Sequence, residues 1–398
     1  MTYKMLDGNA AAVEAMVKAR VQVIAAYPIT PQSSISEKLS DLVLDGTLKA
    51  QYIRVESEHT AMSATISAQM TGVRAATATS SNGLALMHEV LSMASGTRQP
   101  IVMPVVNRAV AAPWSLWCEH GDTMAARDLG WMQFFSQNVQ EVFDLTLLAY
   151  RAAEDARVLC PAMVCLDGFF LSHSMQKIDI PDDAAVDAYL GPYTPKNLRL
   201  DPQNPMFLCD LTGSDEYTEM KFQQKTALDG AGAVIDEAMR DFEKAFGRKL
   251  SRLESYMTED AEVVLIALGS MTGTAKLVVN RLREKGLKVG LVKMTVFRPF
   301  PVGLLAQAVG GAKVVGVFDR SSGLGSPGGP LWNETRSALY SSGQKILSYI
   351  GGLGGRDVST MTLEKIYGQL LAVAKGDDSV HTPWIDLSDK AMELRKAV

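Results

Sequence analysis

Short runs of apolar residues, each too brief for a helix and each followed by a longer amphipathic stretch, recur from one end of this chain to the other. That alternation predicts parallel sheets flanked by helices, because parallel strands are buried on both faces and are joined by helical crossovers. Residues 21–27 form the first such run, and residues 30–44 carry Ile35, Leu39, Leu42 and Val43 at helical spacing. Further strands are predicted over 72–79, 100–106 and 162–166, a strand-like segment over 52–54, and a helix over 84–94. A second unit of the same kind opens at residues 261–270, with a helix over 273–285 and strands over 290–294 and 314–318. Between the two units, residues 178–205 are broken by Pro, Asp and Tyr and read as an extended connection. Residues 216–256 read as a long charged helix, and the polar segment after Gly376 as a surface tail. The expected organisation is an α/β domain over 1–205, a helical connector over 206–257, a second α/β domain over 258–360, and a C-terminal helix and tail over 361–398.

Composition narrows the class of function. The chain has 398 residues, 47% of them hydrophobic and 21% charged, with a net charge of −5, which fits a globular protein and offers no basic stripe for nucleic acid. No apolar run approaches the roughly 18 residues that span a bilayer, so no membrane association is expected. The first residues are amphipathic and lack the apolar core of a signal peptide, which predicts a cytoplasmic protein. Cys118, Cys160, Cys165 and Cys209 include no Cys-x-x-Cys pair, so neither a zinc ribbon nor an iron–sulfur ligand set is predicted, and no metal site is assigned to this chain.

Ligands of open parallel sheets lie outside the carboxyl ends of the strands, and several chemistry-bearing residues fall there. In Tyr27-Pro28-Ile29-Thr30-Pro31 the two prolines fix their own φ and stiffen their neighbours, which holds Thr30 rigidly at the strand edge. Thr30 or Ser33 would serve equally as a helix cap. Glu56, Glu58 and His59 fall at a strand-to-helix junction, where a carboxylate either stays ionised on the helix dipole or hydrogen-bonds a heterocyclic nitrogen. Arg108, one residue beyond Asn107, suits bidentate recognition of a carboxylate unless it is simply solvated. Residues 112–122 crowd Trp114, Trp117, Glu119, His120 and Asp122 into a loop-like stretch, as a pocket wall or an interface would. There is no Gly-x-Gly-x-x-Gly after a strand, no Walker lysine motif and no Gly-x-Ser-x-Gly elbow.

Taken in order, Tyr27-Pro28-Ile29-Thr30-Pro31, Glu56-Ser57-Glu58-His59, Ala78-Thr79-Ser80-Ser81-Asn82-Gly83-Leu84 and Asn107-Arg108-Ala109 resemble the α subunit of the 2-oxoacid:ferredoxin oxidoreductases, the family of pyruvate, 2-oxoisovalerate and phenylglyoxylate enzymes. Residues 121–131, Phe297-Arg298-Pro299-Phe300-Pro301 and Gly351-Gly352-Leu353-Gly354-Gly355-Arg356-Asp357 belong to the same pattern, which covers residues 5 to 360. The resemblance implies a thiamine diphosphate pyrimidine-binding domain followed by a transketolase C-terminal-like α/β domain. It implies that Glu58 hydrogen-bonds the aminopyrimidine ring, that Pro28, Ile29 and Thr30 lie along the cofactor, and that Thr30 and Arg108 hold the substrate carboxylate. Trp114 and Trp117 stand where the family usually has Pro-Ile-Asn-Ile, and they form either an aromatic wall for a bulkier acid or interface packing. The expected reaction is oxidative decarboxylation of a 2-oxoacid to acyl-CoA and CO2, with coenzyme A as co-substrate. The diphosphate and Mg2+ ligands are expected on a β subunit and the [4Fe-4S] clusters on a ferredoxin-like iron–sulfur subunit. A γ subunit and an external ferredoxin or NAD-linked acceptor complete the expected set of partners. A transketolase-like thiamine enzyme subunit and a non-catalytic assembly subunit are the alternatives.

Overall fold

The computed structural model describes residues 2–195 and 199–396. The expected alternation builds two main groups of parallel strands flanked by helices, with Thr2–Leu6 and Gln176–Ile180 forming a separate pair. In the first group, Val23–Ala26 pairs in parallel with Gln51–Arg54 on one side and Ala75–Ala76 on the other. An isolated bridge from Thr79 to Val105 joins this group to Val102–Asn107, which pairs in parallel with Ala162–Asp167, itself parallel to Met132–Phe135. In the second sheet, Lys345–Ile350, Val314–Asp319, Val263–Leu268 and Val289–Met294 run parallel in that order, with Leu253–Tyr256 antiparallel at the edge. The strands over 263–268, 289–294 and 314–319 are buried throughout, which is why they read as nearly continuous apolar runs, interrupted only by Lys293 and Asp319, rather than alternating ones.

The two units are tied through the backbone. Immediately after Val289–Met294, the chain leaves the second sheet and Val296–Arg298 adds antiparallel to Met132–Phe135 of the first. Phe135 N–H donates to the Thr295 carbonyl at 2.8 Å, and one hydrophobic cluster runs from Met103 and Phe135 to Leu268, Phe297 and Leu331. The carboxyl ends of both sheets therefore face a common boundary.

Several expectations are corrected. The connection over 178–205 is not wholly extended: Gln176–Ile180 pairs antiparallel with Thr2–Leu6, and Asp182 caps a helix over Asp183–Leu190 by accepting from Ala185 N–H. Its strand partner lies at the far end of the domain in sequence, so local pattern could not reveal it. Residues 196–198 of that connection lie outside the described residues. The long helix is Ser214–Phe246 and stops at Gly247, whose φ of 70° terminates it, so residues 253–256 are free to become an edge strand. The helix expected over 84–94 is two, Ser81–Leu86 and His88–Gly96. The strand Met132–Phe135 and the helix Val139–Ala153, which packs buried against the Gly8–Lys18 helix, were not anticipated. The C-terminal segment is not merely a surface tail, since Ile385 is buried and Trp384 bridges to Ile350. Among the described residues, no helix is long and apolar enough to cross a membrane.

Candidate functional site

At the junction after Gln51–Arg54, Ser57 accepts from Thr60 N–H and starts the Glu58–Met70 helix. This cap separates the three titratable groups. Glu56 is exposed and bonded by the Thr60 hydroxyl, which holds its carboxyl below the usual range. His59 faces outward toward Glu89 at 3.4 Å. Glu58 alone turns inward. Its side chain is buried, yet its carboxylate has no hydrogen-bond partner among the described residues. A Cβ on Gly83 would lie 2.7 Å from Glu58 Oε1 and 2.5 Å from Thr79 Oγ1, so only glycine lets the 80–83 turn pass this close. The Thr79 and Ser80 hydroxyls are also buried without partners. Buried polar groups are normally satisfied, which makes this cluster a candidate site for a polar ligand.

Thr30 does not cap the helix that follows it. The helix is Ser33–Leu44, its N-cap is Gln32, and no side chain makes the capping bond. Instead Asn9 Nδ2 donates to the Pro31 carbonyl and to Ser34 Oγ, each at 2.8 Å, which pins the Pro28–Pro31 turn from below. The Thr30–Pro31 peptide is cis, and Pro28 and Thr30 are exposed at the sheet edge, with Ile29 half-buried between them. Arg108 reaches this turn: its Nη1 donates to the Thr30 carbonyl at 2.7 Å. Arg108 is only 3% exposed and its Nε has no partner among the described residues, so it is not a solvated surface cation. Burial lowers its pKa, partly offset by the charges of Asp122 and Glu58. The guanidinium also lies over the Trp114 ring, 5.7 Å from its centroid.

Asp122 holds these loops in place, a role that pattern reading missed. Its buried carboxylate accepts from Ser81 N–H at 2.9 Å, Arg108 N–H at 3.1 Å, Thr123 N–H at 2.7 Å and Asn107 Nδ2 at 2.8 Å. Burial raises its pKa, while these four bonds act in the opposite direction. One side chain thus fixes the turn beside Glu58, the arm that carries Arg108, and the short Gly121–Ala125 helix.

Asp167, also missed, does the same between the two units. It accepts from His120 Nε2 at 2.7 Å, Arg320 Nη1 at 2.9 Å, and Ser270 N–H at 3.0 Å. Burial would push its carboxyl up, but His120 and Arg320 more than offset that and hold it well below the usual range. Cys118 Sγ lies within 4.8 Å of the His120 and Asp167 ligand atoms. The Asp167 oxygens are already filled by donors from both units, so the cluster is a hydrogen-bonded ion-pair network. Burial drives the Cys118 thiol far above its ordinary pKa, which removes it as a nucleophile. A signal existed for Asp167: it ends an apolar strand at the same edge that singled out Arg108.

Trp114 and Trp117 are 74% and 53% exposed. Trp114 stacks on Arg108, whereas Trp117 packs on Phe169, with centroids 4.3 Å apart.

Residues 14–240 match the family model described as pyruvate flavodoxin/ferredoxin oxidoreductase, thiamine diphosphate-binding, and residues 261–363 match core domain II of pyruvate:ferredoxin oxidoreductase. The pyruvate synthase subunit PorA of Pyrococcus abyssi is 44% identical over 388 residues, covering 96% of this chain and 98% of its own. That of Methanothermobacter thermautotrophicus is 46% identical, covering 92% and 94%. The ketoisovalerate oxidoreductase subunit VorA of Pyrococcus abyssi is 43% identical, covering 91% and 92%. In fold, the chain resembles a 2-oxoglutarate:ferredoxin oxidoreductase from Magnetococcus marinus, with a TM-score of 0.70 at 20% identity over 92% of this chain and 65% of that one. It also resembles a split-gene transketolase, with a TM-score of 0.58 at 13% identity over 93% and 100%.

Proposed function

The chain belongs to the pyruvate flavodoxin/ferredoxin oxidoreductase family, and we propose that it is the α subunit of a multi-subunit 2-oxoacid oxidoreductase. The observation that carries this reading is the pairing, at one sheet edge, of Glu58, a buried residue whose carboxylate bonds no described protein group, with the Arg108 guanidinium, whose Nε has no partner among the described residues. The residues fit thiamine diphosphate: an orphaned acid beside a glycine-lined turn suits the aminopyrimidine ring, and its charge is felt by the arginine that would hold the substrate.

Glu58 would hydrogen-bond the aminopyrimidine ring nitrogen and share a proton with it, while Pro28, Ile29 and Thr30 would form the stiff floor. When bound, thiamine diphosphate supplies the electron sink for decarboxylation. Arg108 spends one N–H on the Thr30 carbonyl and aims its remaining donors at the carboxylate of the 2-oxoacid. Thr30 stands beside that carboxylate. The Trp114 ring covers one face of the guanidinium, orienting it and shedding water from the ion pair.

The rest of the reaction is assigned to other chains. The diphosphate and Mg2+ belong on a β subunit, [4Fe-4S] clusters on a ferredoxin-like subunit, and a γ subunit completes the complex. Coenzyme A takes the acyl group, and electrons pass to external ferredoxin or an NAD-linked acceptor. The relatives' names as subunits support this division. The four unpaired cysteines suit a cytoplasmic setting. Domain bounds of 1–205, 206–257, 258–360 and 361–398 are proposed with it. Pyruvate and 2-oxoisovalerate are both compatible, because relatives named for these two acids are 46% and 43% identical to this chain, and phenylglyoxylate is kept as a bulkier candidate on the indoles of Trp114 and Trp117 alone.

A panel of these acids, assayed with the assembled complex, coenzyme A and a low-potential acceptor, tests the reading. Acid-dependent acceptor reduction and CO2 release are expected. Turnover of sugar phosphates without acceptor reduction would overturn it in favour of a transketolase-like enzyme.

A further inference from the structure

The glycine-rich segment over 351–355 follows the Lys345–Ile350 strand of the second sheet and takes no part in the chemistry above. Gly352, Gly354 and Gly355 have φ of 68°, 57° and 75°, a region that only glycine enters freely. The loop crosses directly over the segment that carries the indoles. Gly355 N–H donates to the Cys118 carbonyl at 2.8 Å. A Cβ on Gly355 would lie 2.3 Å from Trp117 Cβ and 3.1 Å from its Cγ, and one on Gly354 would lie 3.3 Å from Ser115 Oγ. From the opposite side, Ala109 N–H donates to the Trp117 carbonyl at 3.0 Å. The backbone of Trp117 and Cys118 is therefore gripped between the residue after Arg108 and a loop of the second unit. That loop is itself anchored, since Arg320 Nη2 donates to the Gly352 carbonyl at 3.4 Å while its Nη1 holds Asp167.

We propose that the 351–355 loop is a positioning element for substrate selectivity: by seating the Trp114–Trp117 segment, the second unit sets the room available beyond the Arg108 guanidinium. This rests on the reading that Arg108 holds the carboxylate of a 2-oxoacid. The space between Gly355 and Trp117 is too small for a methyl group, so any side chain at 355 pushes the indole segment, which also hangs on Ala109, whereas Arg108 has separate anchors in the Thr30 carbonyl and Asp122.

The test compares wild type, Gly355→Ala, Trp117→Gly and the double variant in the assembled complex, with pyruvate and 2-oxoisovalerate as substrates. Gly355→Ala is expected to change the ratio of kcat/KM for the two acids at least fivefold, mainly through KM. In the ratio of kcat/KM the double variant should behave like Trp117→Gly alone, because removing the Trp117 side chain removes the collision, while the positive φ at 355 lowers stability in both Gly355→Ala variants alike. Arg108→Lys is run alongside, with oxamate binding measured by calorimetry. If Arg108→Lys leaves oxamate affinity and both KM values unchanged, the 2-oxoacid reading fails and the inference with it. If Arg108→Lys weakens oxamate but Gly355→Ala leaves the ratio unchanged, adds independently to Trp117→Gly, or lowers kcat for both acids equally along with the melting temperature, only the loop inference is overturned. Should Gly355→Ala not assemble, Gly354→Ala carries the same comparison through its looser approach to Ser115 Oγ, 3.3 Å, with a smaller change of the ratio expected and the same results overturning it.

Discussion

Arg108 Nη1 donates to the main-chain carbonyl of Thr30 at 2.7 Å, across 78 residues of sequence. The bond explains why a threonine is held between two prolines at the end of a strand. The Pro28–Pro31 turn presents a carbonyl at a fixed point, and that carbonyl orients a buried guanidinium whose Nε is left without a partner.

Arg108→Lys keeps the charge but loses the planar fork and the reach to both the carbonyl and a substrate carboxylate. A loss of about 1.5–3 kcal/mol is expected, or roughly 10- to 150-fold in kcat/KM for a 2-oxoacid. Steady-state kinetics of the assembled complex checks this, and cofactor affinity should stay within about twofold of wild type on the same argument.

Glu58→Gln should leave folding and assembly intact, because the carboxylate gives up no hydrogen bond with the described protein. Turnover should be lost, and proton–deuterium exchange at the reactive carbon of the bound cofactor should slow markedly in the assembled variant. An unchanged exchange rate would remove Glu58 from its role. Glu56, exposed and bonded to Thr60, should tolerate the same substitution with little effect.

Asp122→Ala would strip the acceptor from three buried backbone N–H groups and from Asn107 at once. Each orphaned donor costs about 1–3 kcal/mol, so a destabilisation of at least roughly 3 kcal/mol is expected after partial relaxation. Chemical denaturation of the purified chain measures it. Activity should fall further than stability alone explains, since the Arg108 arm and the turn beside Glu58 both loosen.

Asp319 gives a pH signature. Burial pushes its carboxyl up to about 7, although Leu331 and Trp332 N–H groups donate to it at 2.8 and 3.1 Å. A folded-state pKa above the unfolded value means that its contribution is fully present below about pH 4 and is lost as pH rises through about 7. Denaturation midpoints across that window should fall for wild type more steeply than for Asp319→Asn, which cannot titrate. Parallel curves would show that Asp319 does not titrate in that range.

Pattern alone carried the two α/β units, because strands buried on both faces must be apolar and their crossover helices must be amphipathic. It also placed Thr30, Glu58 and Arg108 at strand ends, since each follows its strand within a few residues. What it could not see were relationships between distant segments. Residues 178–180 read as connection because their partner strand lies within 2–6, and Leu253–Tyr256 read as helix because the stop at Gly247 carries no break in the charged pattern. The inward turn of Glu58 against the outward turns of Glu56 and His59 depends on a Ser57 cap and on how closely Gly83 approaches. Asp122 looks like an ordinary loop acid in sequence, and Asp167 like the polar end of a strand. Only burial, with donors arriving from segments 14 to 153 residues away, makes them organising centres. Hydrophobic periodicity is a local property of the chain, and it determined the elements. Satisfying buried polar groups is a property of the packed whole, and that decided the site.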